Sequence, residues 1–163
     1  MEKVEREILS ILTQDSRVSA KNIAAALQIS EKEAADKIKS LEGRGVIVRY
    51  SAIINADLSD EETVEALIEV KVTPQRGHGF DAIAEEISAH SEVQNLYLMS
   101  GAYDLAVIVK AKSLREISRF VSEKISTYDT VISTATHFIL KKYKVEGATM
   151  KSSEGGERLS VHA

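Results

Sequence analysis

The spacing of apolar residues divides the chain into a helical first third and a strand-rich remainder. Val4, Ile8, Ile11 and Leu12 recur at helical intervals with Glu5, Arg6 and Gln14 between them, so residues 2–14 are expected to form an amphipathic helix. Ser19 is a suitable N-cap for a second, short helix with Ile23, Ala24 and Leu27 on its inner face. Gln28-Ile29-Ser30 makes a three-residue turn. Ser30 and Glu33 then form an S-x-x-E capping box that opens a third helix on Ala34, Ile38 and Leu41. Gly45 suits the left-handed position that closes this helix, and Val46–Tyr50 reads as a strand, followed by the apolar pair Ile53-Ile54. Three short helices with a tight second turn and a β-ribbon describe a winged helix-turn-helix, whose third helix enters the major groove.

Asp57 to Thr63 is polar, acidic and without period, and is expected to be a linker. Beyond it Val64, Ala66, Ile68, Val70 and Val72 alternate with Glu65, Leu67, Glu69 and Lys71, the signature of a strand with one buried face. Phe80, Ile83, Ala84 and Ile87 mark a helix. Val93–Ser100 and Tyr103–Ala111 are strands around Gly101, expected as a tight hairpin because glycine supplies a positive φ. Ser113 and Glu116 cap a helix on Leu114, Ile117, Phe120, Val121 and Ile125, and Val131–Val145 reads as one long closing strand. The order βαββαβ predicts a ferredoxin-like antiparallel sheet with helices on one face. Leu67, Leu96, Leu98, Ile108, Phe138 and Leu140 are expected to make the opposite face apolar, which points to dimerisation through it. The fold class is therefore α+β. The expected layout is a winged helix-turn-helix at 1–54, a linker at 55–63, a ferredoxin-like sensing and oligomerisation domain at 64–147, and a disordered tail at 148–163.

At 163 residues and 44% hydrophobic, the chain can bury one ordinary core or two small ones. Without cysteine it has no disulfide framework and no thiolate zinc site, which fits a reducing cytoplasm. No apolar run approaches the roughly 18 residues of a membrane span. The net charge of -4 would suit a nucleic-acid binder poorly were it uniform. It is not uniform: residues 16–51 hold seven Lys/Arg against four Asp/Glu, a local +3.

On the third helix the exposed positions are expected to be Glu31, Lys32, Ala35, Asp36, Lys39 and Ser40. Ser30, Lys32, Lys37, Lys39, Arg44 and Arg49 are the candidate contacts to double-stranded DNA, the cations as phosphate ligands that position without reading sequence. Glu31 and Glu33 suit the helix dipole but repel phosphate.

Other motifs carry less. Gly77-His-Gly79-Phe-Asp-Ala82 matches G-x-G-x-x-A, but the next strand ends in Met99-Ser100 without the acid that a dinucleotide site requires. His78, His90, His137 and His162 show no metal-ligand spacing, and no nucleophile elbow, P-loop or H-E-x-x-H occurs. No catalytic residue, metal site or cofactor is assigned. Asp104, at a strand start beside a hairpin glycine, is placed either to receive a ligand's ammonium group or to stabilise the turn.

In order and spacing, several segments together resemble the Lrp/AsnC (feast/famine) family of transcription regulators. In the first half these are Arg6-Glu-Ile-Leu9, Ile11-Leu12, Asp15-Ser-Arg17, Ile23-Ala24, Leu27, Ile29-Ser30, Leu41-Glu42 and Gly45-Val-Ile47. In the second they are Val93, Gly101-Ala-Tyr-Asp104-Leu105, Thr134-Ala-Thr136, Phe138-Ile-Leu140 and Lys144. The resemblance implies dimers formed through the sensing domains, often assembled into octamers, with an amino acid or related metabolite bound between dimers. The positions matching the family's ligand contacts are Gly101, Ala102, Tyr103, Asp104, Thr134 and Thr136. Lys37 stands where the family typically has Arg, losing bidentate recognition. Two further readings accompany it: a co-regulator impaired in DNA binding that assembles with a paralogue, and a haem-pathway decarboxylase-like enzyme on the same fold. Against the enzyme, His137 and the scattered lysines form no convergent basic cluster.

Overall fold

Helices form where the apolar stripes require them: α1 (Lys3–Gln14), α2 (Ala20–Leu27) and α3 (Glu31–Gly43). The structure is a computed structural model describing residues 1–60, 62–74 and 79–150. It divides into two compact units, Met1–Ile53 and a second beginning at Ile54. The core of the first unit is Ile8, Leu12, Ile23, Ala24, Ala34 and Leu41, with Val4, Ile38 and Ile47 packed against it. Ser19 Oγ accepts from the Asn22 amide at 3.2 Å and Ser30 Oγ from the Glu33 amide at 3.1 Å, so both helix starts are capped as their spacing predicts. Gln28 turns the chain between α2 and α3 in the left-handed conformation, with φ 56°.

α3 ends in a Schellman motif. Gly45, at φ 69°, donates its amide to the Glu42 carbonyl at 2.9 Å, and Val46 donates to Leu41 at 2.9 Å. This closure explains why the expected wing strand is absent. Val46 and Ile47 both give their amides to the Leu41 carbonyl, removing donors a ladder would need, and no described strand pairs with residues 46–54. Val48, Tyr50, Ile53 and Ile54 remain exposed, and the segment forms neither helix nor sheet.

The second unit is built on β1 (Val64–Val72), β2 (Val93–Leu98), β3 (Leu105–Ala111) and β4 (Val131–Phe138), antiparallel in the order β2-β3-β1-β4. α4 (Asp81–Ser88) and α5 (Leu114–Glu123) complete the βαββαβ order of a ferredoxin-like fold. Ala66, Ile68, Val70 and Val72 of β1 meet Leu105, Val107 and Val109 of β3 and, from the helices, Ile83, Ile87, Ile117 and Phe120.

Pairing register corrects the expected open face. Leu67 lies opposite Ile108 and His137, and Glu69 opposite Ala106 and Ala135, so these residues share the uncovered face. Leu96 pairs with Val107, Leu98 with Leu105 and Phe138 with Ala66, which puts all three on the helix-covered side. Leu140 lies beyond the strand. The open face therefore carries Leu67 and Ile108 among Glu65, Glu69, Lys71, Tyr97 and Lys110, and is less apolar than alternation suggested.

Two strand ends also differ from expectation. β4 stops at Phe138, and the chain then forms a two-stranded ribbon of β5 (Lys144–Val145) and β6 (Ala148–Thr149). Glu146 and Gly147, at φ 46° and 84°, make its two-residue turn, as a type I′ connection demands. Ala148 and Thr149 thus belong to a ribbon rather than to a disordered tail, and residues 151–163 lie outside the described residues. Between β2 and β3 the tight turn is replaced by a longer loop, closed by the Met99 amide donating to the Asp104 carbonyl at 2.8 Å, with Gly101 at φ 152°.

Gly43 and Gly45 predict opposite outcomes for the same substitution. A Cβ at either position meets nothing within 4 Å, so only backbone conformation decides. Gly45→Ala forces alanine into the left-handed region and should lower unfolding free energy by about 1 kcal/mol. Gly43→Ala, at the last position of α3, should raise it by up to about 0.5 kcal/mol in denaturant titration.

Candidate nucleic-acid interface and effector site

α3 presents Glu31, Lys32, Ala35, Asp36, Lys39 and Ser40 to solvent, as their spacing predicts. Among the described residues no ion pair holds Lys32 or Lys39, which lie seven residues, or about 10 Å, apart along the helix. Ser30 Oγ is engaged in the cap, and Arg49 is exposed on the irregular segment after α3.

The other two cations are held within the unit. Lys37 donates to the Glu2 carboxylate, and Arg44 Nη2 lies 2.5 Å from Glu5 Oε1 while its Nε donates to the Ser40 carbonyl at 3.3 Å. These two cations are thus answered by Glu2 and Glu5 at the start of α1. Glu5 is buried on the stripe that also contains Ile8 and Leu12. The Glu2 amide, donating to Glu5 Oε2 at 2.9 Å, holds the Glu5 carboxyl below the usual range; burial opposes this, and Arg44 reinforces it. Lys37 is pushed above its ordinary value, first by its hydrogen bond to Glu2 and then, against burial, by the charges of Glu2, Glu5 and Glu33. Neither acid was a candidate from the sequence. The available signal was Glu5 lying three residues before Ile8 on the inward face of α1.

In the second unit the loop before β3 and the start of β4 lie at one end of the sheet, flanking the end of β1. Leu105 and Thr134 both pair with Val70, and Thr136 pairs with Ile68. Asp104 is tied to β1 twice: its amide donates to the Val70 carbonyl at 3.1 Å, and its Oδ2 accepts from the Val72 amide at 2.9 Å. The β1–β4 register shifts between Lys71 and Val72, so the carboxylate serves a donor at an irregularity of the ladder. Gly101 and Ala102 are exposed, and Tyr103, Thr134 and Thr136 are half-buried. Gly77 and His78 of the glycine motif lie outside the described residues.

A three-helix reader followed by an α/β sensing module defines a helix-turn-helix transcriptional regulator. Residues 1–48 match the winged helix-turn-helix DNA-binding model, and residues 65–149 match the Lrp/AsnC ligand-binding domain. The chain belongs to the Lrp/AsnC family. It is 46% identical over 158 residues to the uncharacterised HTH-type transcriptional regulator YugG of Bacillus subtilis, covering 96% of this chain and 95% of that protein. It is 24% identical to the proline dehydrogenase transcriptional activator of Rhizobium radiobacter, over 90% of this chain and 94% of that one. The fold matches the Mycobacterium tuberculosis leucine response regulatory protein LrpA with a TM-score of 0.75 at 21% identity, covering 93% of this chain and 100% of that one. It also matches a Neisseria meningitidis regulator solved as an L-Met complex, with a TM-score of 0.69 at 21% identity, covering 89% of this chain and 93% of that one. These relatives are regulators rather than enzymes, which removes the decarboxylase-like reading. No helix among the described residues is long and apolar enough to cross a membrane.

Glu5 predicts a pH signature. Its folded-state value lies below the ordinary 4.5, so its contribution is complete above that pH and is lost as pH falls through the lower folded value. The gap in Tm between wild type and Glu5→Gln should be widest near neutral pH and close progressively in acid. A gap independent of pH would mean that packing, not charge, makes Glu5 matter.

Proposed function

We propose that the chain reads double-stranded DNA with the exposed flank of α3 and responds to an amino acid or closely related metabolite bound by its second unit. The observation that carries the DNA half is the placement of Lys32 and Lys39. Both are exposed on the helix that a helix-turn-helix lays in the major groove, and neither is held by an acid among the described residues. With Ser30 at the helix N-terminus and Arg49 after it, they form the phosphate-contacting set, and sequence reading falls to Glu31, Ala35, Asp36 and Ser40. Lys37 and Arg44 are secondary because acids already hold them. That pairing also favours the second reading, a weak DNA binder acting by co-assembly with a paralogue.

The effector site is assigned to Gly101, Ala102, Tyr103, Asp104, Thr134 and Thr136. The Asp104 carboxylate suits an ammonium group, and the threonine hydroxyls suit a carboxylate. The L-Met complex of the Neisseria regulator supports an amino-acid effector. The dimer forms through the uncovered sheet face around Leu67 and Ile108, where Glu69 on one copy can meet Lys71 on the other. Octamers are a further assembly of such dimers, in a cytoplasmic setting.

Binding to genomic fragments, including the protein's own promoter, at two salt concentrations tests the DNA half. Lys32→Ala/Lys39→Ala should reduce affinity about tenfold or more and flatten the salt dependence by about two counterions. Selective binding unchanged in the double variant would overturn this assignment of the interface. For the effector half, Asp104→Asn keeps an acceptor for the Val72 amide while removing the charge. It should leave Tm nearly unchanged yet weaken the amino acid found by calorimetric screening about tenfold or more. Equal affinity in the variant would exclude Asp104 as the ammonium partner.

A further inference from the structure

The geometry points to Lys37 as a latent phosphate contact whose availability is set by Glu2, while Arg44 is a fixed structural counterion that DNA does not recruit. This rests on the DNA-reading proposal above and divides cations that the sequence treats alike. The division follows from how much water each acid has lost.

Glu5 has a side chain only 7% exposed, so a charge left there without Arg44 would be unmatched in the interior. Its carboxylate also accepts from the Glu2 amide, which fixes its position. Arg44 is therefore tied at both ends, to Glu5 Oε1 and to the Ser40 carbonyl. A phosphate that took Nη2 from Glu5 would abandon a buried anion, so Arg44 keeps its charge committed to Glu5. The Lys37 pair is different in kind. Glu2 is 66% exposed, so it rehydrates readily when released, and such pairs are worth little in water. Lys37 itself is 23% exposed and sits beside the carboxylates of Glu2, Glu5 and Glu33. A phosphate placed along this flank of α3 competes with Glu2 for one ammonium group. Glu2 thereby lowers indiscriminate attraction to any duplex and reserves Lys37 for backbones docked closely enough to displace it. It acts as a specificity-determining residue without touching a base.

A mixed-sequence duplex in about 0.15 M salt, titrated with the full chain, tests this. Glu2→Gln should raise affinity about two- to fivefold and steepen the slope of log affinity against log salt by about one. In a Lys37→Ala background the same change should alter affinity less than about twofold, because only screened repulsion remains. Arg44→Gln should leave the salt slope unchanged while lowering Tm. Circular dichroism confirms that each variant is folded. Equal Glu2→Gln effects in both backgrounds would overturn the gating of Lys37, and a slope reduced by Arg44→Gln would overturn the division between the two cations. Failure of every variant, wild type included, to bind duplex at low salt would instead sink the DNA-reading proposal and this inference with it.

Discussion

A carboxylate removed from water must be answered, and in the first unit the answer to Glu5 organises much of what surrounds it. The side chain lies on the same inward stripe of α1 as Ile8 and Leu12, so it cannot escape to solvent without unseating the core. It takes the Glu2 amide from the start of its own helix and Arg44 from the C-cap of α3. The entry of α1 and the exit of α3 are thereby tied by charge as well as by packing. A helix that reads DNA must hold its orientation while its outer face is bare, and a polar contact with defined geometry resists rotation better than interchangeable aliphatic contacts do. The cost falls on the charge of the interface. Arg44 spends its cation internally, and Glu2, drawn into the same groove, occupies Lys37. The face left to DNA is smaller and less basic than the count of lysines and arginines implies.

The element order was legible because each helix and most strands announce themselves by period. The serine caps of α2 and α3 and the glycine that closes α3 appear where their chemistry requires. What failed to appear did so for reasons that periodicity does not register. Val46–Tyr50 has the composition of a strand but no partner, and its first amides are captured by Leu41. The apolar character of Leu96, Leu98 and Phe138 suggests the open face, whereas register, a property of two strands at once, turns them to the covered side. Glu146-Gly147 is a weaker turn signal than Asn-Gly, so the ribbon of Lys144–Thr149 does not announce itself in the sequence. The acids that hold Lys37 and Arg44 lie 35 and 39 residues away in sequence, beyond the reach of any local pattern.

Asp104 holds a structural role that is compatible with the recognition role proposed for it. Sequence left two readings open, a turn-stabilising carboxylate or a ligand's counter-charge. The bond from the Val72 amide settles that it stabilises structure, at the place where the β1–β4 register shifts. The two roles are compatible, because a carboxylate has more acceptor positions than one amide can use. An anchored carboxylate also loses less freedom on meeting an ammonium group than a free one would, so the structural bond favours recognition by preorganisation. If an amino acid binds there, it draws on the charge of a residue that already joins the loop before β3 to the central strand of the sheet. Binding then bears on the bulge at Lys71 and Val72 and, through the ladder, on Thr134. A ligand can shift such an arrangement only as far as its affinity differs between two states of it.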